Sequence, residues 1–201
     1  MSDTTTSPAP FPGIPRTGSY MEGQLLVATT LITESCFSRA VLYVCAHSEE
    51  GAMGVIINHH LNDMTFNDVM KQLKIPAKAE IAPRPVYLGG PVETGRGLVI
   101  HTDDYAHKDT LVFAEGIAAT SNLQVLHDIC LGRGPAKSLL ALGYAGWAAG
   151  QLEAEIEANS WITVPATEAL VFDAEDAEKW TLAAGSLGID MFKLSGDVGH
   201  A

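Results

Sequence analysis

The chain has 201 residues, 47% of them hydrophobic and 18% charged, a balance that fits one globular domain and excludes wholesale disorder. Its 12 Lys and Arg against 24 Asp and Glu give a formal net charge of −12, the reverse of what a nucleic-acid backbone binder needs. No direct nucleic-acid binding is expected.

Residues 1–19 are rich in Ser, Thr and Pro and cannot bury enough apolar surface to offset the entropy of ordering them. They read as a tail ahead of a single domain over 20–195, with 196–201 as a C-terminal tail. Folded structure is expected from Gly23, with strands over 24–29, 40–47 and 52–58. The turn-like Ser48-Glu49-Glu50-Gly51 makes a hairpin of the last two. Thr65 with Asp68 three residues on resembles a capping box, and Phe66, Val69, Met70 and Leu73 follow at helical spacing as far as Pro76. Short β-type runs follow at 86–90, 97–102 and 111–116. A helix capped by Ser121 then carries Leu123, Leu126, Ile129 and Cys130 inward and ends near Gly132. Residues 137–147 read as a buried strand running into a glycine-rich turn. A short helix over 151–159 turns Leu152 and Ile156 inward, strands follow at 160–166 and 169–172, and a last helix carries Ala177, Trp180, Ala184 and Leu187 on one side. Several neighbouring strands are joined by connections too short for a parallel crossover. The fold class is therefore α/β, a single domain with a mixed, twisted β-sheet and flanking helices.

No stretch reaches the roughly 18 apolar residues of a membrane span, and the first 19 residues hold no signal-like apolar run. The three cysteines, Cys36, Cys45 and Cys130, are odd in number and lack metal-type spacing. A reducing cytoplasm and no membrane association are expected.

FSRAVLYVCAH followed by GAMGVIIN, then VYLGGPV, then LGYAGWAAGQLEAEIEANSWI, stand in an order and spacing that resemble the YqgE/AlgH family of small bacterial proteins, across roughly residues 20–195. The resemblance implies a mixed α/β fold and a cytosolic protein. One branch of that family is named for transcriptional regulation of alginate production, which implies a regulatory role here and supplies no reaction. This chain departs from the family in its Pro-rich tail and in His59-His60, where a pair such as Arg-Pro often follows the asparagine.

The residues themselves offer several candidate chemistries. Gly90 to Gly97 has glycine spacing like a phosphate loop, but Arg96 stands where the Lys belongs and a strand, not a helix, follows. A plain glycine-rich turn is the better reading. His101, Asp103, Asp104 and His107 are close in sequence but match no ligand pattern, and turn carboxylates commonly cap backbone amides. No metal or cofactor is expected. There is no G-x-S-x-G elbow, Cys36 has no recognisable base, and no catalytic constellation is recognisable, which leaves open whether the protein is an enzyme. The most informative segment runs from Gly143 to Trp161, where glycines, two tryptophans and the polar Gln151, Glu153 and Glu155 combine. Either the tryptophans are core and the glycines set turns, or these side chains line a binding cleft. In the second case Asn58, Gly89, Gly90, Trp147, Gln151 and Glu155 are expected to meet at one end of the sheet, and alanine at Gln151 or Glu155 to change stability by less than about 1 kcal/mol. Between Ser138 and Glu178 every charged residue is acidic, which favours a basic protein partner or a cation over nucleic acid. Two functions stay open: a non-enzymatic binding or regulatory protein acting through protein contacts, and an enzyme or small-ligand binder at the Gly89-Gly90 and Gly143–Glu155 end of the sheet.

Overall fold

The computed structural model describes residues 21–76, 83–113 and 116–190. Both expected tails, 1–19 and 196–201, lie outside these residues. Ten strands and four helices follow in chain order: β1 (Gln24–Ala28), β2 (Val41–Ser48), β3 (Gly51–Ile56), β4 (His60–Thr65), α1 (Phe66–Gln72), β5 (Pro85–Leu88), β6 (Val92–Thr102), β7 (Thr110–Val112), β8 (Ile117–Thr120), α2 (Gln124–Cys130), β9 (Ser138–Ala148), α3 (Gln151–Glu157), β10 (Trp161–Pro165) and α4 (Asp176–Gly185). The strands form one curled sheet in the order β10-β1-β2-β3-β9-β6-β8-β7, with β5 and β4 branching from β9. Every described pairing is antiparallel except β5 with β9, so the sheet is mixed by that one contact.

β2 is buried along its whole length, because both sheet faces are covered there. Alternation sorts its side chains. Val41, Tyr43 and Cys45 join Leu25, Val27 and Trp180 of α4 on one face, while Leu42 and Val44 join Leu26, Trp147, Leu152 of α3 and Trp161 on the other. A third core lies where α1 and α2 cover the β5, β6 and β9 end, around Phe66, Met70, Val86, Val99, Leu126 and Leu140. α1 starts with the expected box: the Thr65 hydroxyl accepts from Asp68 N at 3.3 Å and the Asp68 carboxylate from Thr65 N at 3.1 Å.

β9 is the joint of the sheet. Its first half pairs with β5 and β6 through Leu142, and its second half with β3 from Ala145. Between them Gly143 has φ +76°, and a Cβ there would lie 2.4 Å from the Gly90 carbonyl oxygen. Only glycine lets the two backbones approach so closely.

Several elements differ from expectation. No side chain caps α2, whose Leu123 is exposed, and β6 starts at Val92, inside the stretch expected as a glycine-rich turn. Residues 169–172 form a single π-type turn over Ala169–Asp173 instead of a strand, with Val171 buried and Leu170 and Phe172 packed against the first core. An apolar run that short does not discriminate a strand from a helical turn. β4 is polar and mostly exposed, so it carried no alternation to read. β8 follows Gly116 as a short separate strand, and β7 ends at Val112. On α4 the buried face is Lys179, Trp180, Ala183 and Ala184, while Leu187 beyond the helix is exposed.

Candidate functional site

The segment after β9 builds a pocket from three constraints. Gly150, with φ +73°, turns the chain into α3. Gln151 at the helix start accepts from Ala148 N at 3.0 Å, which closes that turn. Glu155 comes one helical turn later, where an i,i+4 pair shares a face, and its Oε1 accepts from Gln151 Nε2 at 2.9 Å. Its Oε2 accepts two indole N–H bonds, from Trp147 at 2.8 Å and Trp161 at 2.7 Å. The two rings meet edge to face at 5.9 Å, and Phe37 packs edge-on against Trp161 at 5.9 Å. Only 7% of Trp147 and 4% of Trp161 is exposed, so the rings belong to the core while their N–H groups need a polar partner. Glu155 is that partner.

The opposite wall is the loop from Leu31 to Phe37, and the space between holds about 320 Å³, at the lower end of ligand-site volumes. Glu34 stands exposed on the loop, so two carboxylates border the pocket. Among the described residues that line it there is no Lys, Arg, His or Cys.

α3 is held from its other side as well. Glu153 Oε1 lies 2.9 Å from His47 Nε2, and His47 Nδ1 accepts from Met21 N at 3.2 Å. Because Nδ1 is an acceptor, the neutral ring carries its proton on Nε2 and donates it to Glu153. Nothing in the sequence separated His47 from the other histidines, because its partner lies 106 residues away.

Of the six residues expected to meet, Trp147, Gln151 and Glu155 do. Asn58 does not: its amide accepts from Val41 N at 2.8 Å and donates to the Arg39 carbonyl at 2.9 Å, pinning the start of β2. Trp147 pairs with Ala52, six residues before Asn58, which puts the two on the order of 20 Å apart along the strand. Gly89 and Gly90 are buried where the chain crosses β9. Gly89 N donates to Leu142 O at 2.8 Å, and a Cβ on Gly90 would lie 2.2 Å from the Tyr144 carbonyl carbon. They serve the backbone crossing and offer no surface to the pocket. Glu155 also differs from a surface carboxylate, since removing it would strand two nearly buried indole donors.

A second polar cluster lies under α4. Lys179 is 2% exposed, yet its ammonium donates to the Ile57 carbonyl at 3.0 Å, pairs with Asp176 Oδ1 at 2.7 Å and lies 5.5 Å from the centre of the Tyr87 ring. Asp176 Oδ2 also accepts from Tyr87 at 3.0 Å and meets His60 Nε2. Burial lowers the Lys179 pKa against the pull of Asp176. Burial works to raise the Asp176 carboxyl but is outweighed by Lys179, His60 and Tyr87, which hold it below the usual range. These residues fasten α4 to β5 and to the chain just after β3.

The histidine and carboxylates near residue 101 are structural. His101 is fully buried with one ring nitrogen on the Thr102 carbonyl and the other on the Thr120 hydroxyl, each at 2.8 Å. Asp104 accepts from the Thr102 hydroxyl and from Ala136 N. Among the described residues no group of three or more His, Cys, Asp or Glu side chains is arranged to hold a metal ion, and no helix is long and apolar enough to cross a membrane.

Similarity to other proteins agrees with the motifs. A UPF0301 protein of Methylocella silvestris is 45% identical over 194 residues, covering 92% of this chain and 93% of its own. A UPF0301 protein of Rhodospirillum rubrum is 46% identical over 182 residues, covering 90% and 95%. The solution structure of the AlgH protein from Pseudomonas aeruginosa superposes with a TM-score of 0.72 at 37% identity, over 93% of this chain and 99% of that one. A Corynebacterium diphtheriae protein of known crystal structure shares the fold at 22% identity, with a TM-score of 0.61 over 77% of this chain and 81% of its own. The AlgH-like family model matches residues 25–192, nearly the whole described body with its indole–carboxylate pocket, and the chain belongs to that family.

Proposed function

We propose that this protein is a cytosolic binding protein that acts through contacts with a partner, and that the pocket between the 31–37 loop and α3 is where it recognises a group of that partner. One observation carries the reading: the Glu155 carboxylate is fixed by two indole N–H groups and Gln151 at an open pocket that, among the described residues, is lined by no basic side chain. A carboxylate so held is preorganised for recognition, because its geometry is set before anything binds. Glu155 is committed to three hydrogen bonds, which suits it to hold a group in place more than to take up a proton. Any regulatory role, which the resemblance of the sequence motifs to the YqgE/AlgH family implies, is then exerted through that partner and not by reading DNA.

The test is a fragment screen on the intact, ¹⁵N-labelled chain, read at its three tryptophan indole resonances. Trp180 donates to the Ala28 carbonyl at 2.7 Å and serves as the internal reference. Fragments that move the Trp147 and Trp161 signals and leave Trp180 in place support the pocket; a screen in which every binder maps elsewhere rejects it.

A further inference from the structure

We infer that the group this pocket takes is an organic cation, an alkylammonium or guanidinium head. The inference rests on the pocket being the binding site and adds the chemical class of its occupant. Anions are disfavoured first. The indole N–H groups, the strongest fixed donors near the space, are already given to Glu155, and the carboxylates of Glu155 and Glu34 repel negative charge. A neutral apolar group would cover Glu155 without pairing it, which costs free energy for a buried charge. A hard metal ion wants six to eight oxygen ligands, whereas this pocket offers two carboxylates, one of which already accepts three hydrogen bonds.

An organic cation meets both kinds of surface present. Phe37, Trp147 and Trp161 line the space and offer apolar surface to the alkyl stem, while the carboxylates of Glu155 and Glu34 neutralise the charged head. A carboxylate has about four acceptor positions, and the three bonds to Glu155 leave capacity for one more donor. The volume of about 320 Å³ suits one lysine- or arginine-sized group. α3 adds attraction, since its charged residues, Glu153, Glu155 and Glu157, are all acidic.

The experiment titrates the intact labelled chain with n-butylammonium, with a guanidinium compound, with neutral 1-butanol and with butyrate, and follows the indole signals. The expected result is saturable movement of Trp147 and Trp161 by both cations, at least about tenfold tighter than by butanol, weakened by added salt, and no response to butyrate. Glu34→Gln, at an exposed position, should weaken cation binding about two- to fivefold with an unchanged melting temperature. Glu155→Gln should weaken it by about tenfold or more. Equal binding of butanol, tighter binding of butyrate, or an unaltered cation affinity in both variants overturns the cation assignment while leaving the pocket as a binding site. No response to any of the four overturns both. A free polyamine and a short lysine- and arginine-bearing peptide separate the sources: a tighter peptide identifies a protein side chain as the natural group, and a tighter polyamine a small metabolite.

Discussion

Glu155 shows how one residue can serve two ends. Its carboxylate holds the N–H groups of Trp147 and Trp161, and those rings close the core face that α3 covers. Glu155→Ala strands both donors at about 1–3 kcal/mol each, so a loss of about 2–6 kcal/mol is expected in urea denaturation. Glu155→Gln keeps one acceptor oxygen and should lose less than half as much. Asp104 makes a second residue-scale case. The Thr102 hydroxyl, and with it the Ala136 amide, hold its carboxyl below the usual range. A depressed folded value means that the stabilising contribution is present above the unfolded aspartate value near pH 4 and fades as pH falls through the lower folded one. Asp104→Asn should therefore flatten the acid limb of a stability–pH curve below about pH 4, with a change under about 1 kcal/mol at neutral pH because the side chain is exposed.

The elements differ in how openly the sequence declares them. The Ser48–Gly51 hairpin, the Thr65 box and the strands that feed the two-sided centre follow from period and turn chemistry, which act within a few residues. Trp147, Gln151 and Glu155 were legible as a group for the same reason, since α3 spacing and a short turn bring them together. Asn58 was misplaced because its strand end was judged by proximity in pattern, whereas the register of β3 against β9 puts Trp147 beside Ala52. Gly89 and Gly90 looked like ligand-facing turn residues, yet a close crossing makes the same demand on glycine. The face of α4 was legible at Trp180 and Ala184 but not at Lys179, whose burial requires partners from β5 and from the chain after β3 that no local pattern displays. That network gives an element-scale prediction. Asp176→Ala leaves a buried ammonium without its counter-charge and should cost about 3–5 kcal/mol, whereas Lys179→Met combined with Asp176→Ala replaces the pair with apolar bulk and should recover most of that loss. If the double variant is no more stable than Asp176→Ala in thermal melts, the hydrogen bonds of Asp176 to His60 and Tyr87 carry the docking instead.

At the scale of the whole molecule, charge decides which partners are plausible. The net charge is −12, and several of the cations present are already engaged. Lys137 pairs with Glu168 and Asp173, Arg133 with Asp128, Arg96 with Glu93, and Lys179 is buried against Asp176. Helix-based DNA readers place several Lys or Arg along one helix in the major groove, with further basic residues on the flanking phosphates. None of α1 to α4 fits that description: α1 and α4 carry one Lys each, and α2 and α3 carry no Lys or Arg at all. Each phosphate that a protein neutralises steepens the fall of affinity with salt, and a chain that neutralises few binds little even at low salt. Purified protein is therefore expected to give no mobility shift with duplex DNA at physiological salt, and to bind a lysine- and arginine-bearing peptide under the same conditions, with the peptide displaced as ionic strength rises. A shift on DNA that weakens steeply with salt would move the regulatory reading from protein contacts to DNA.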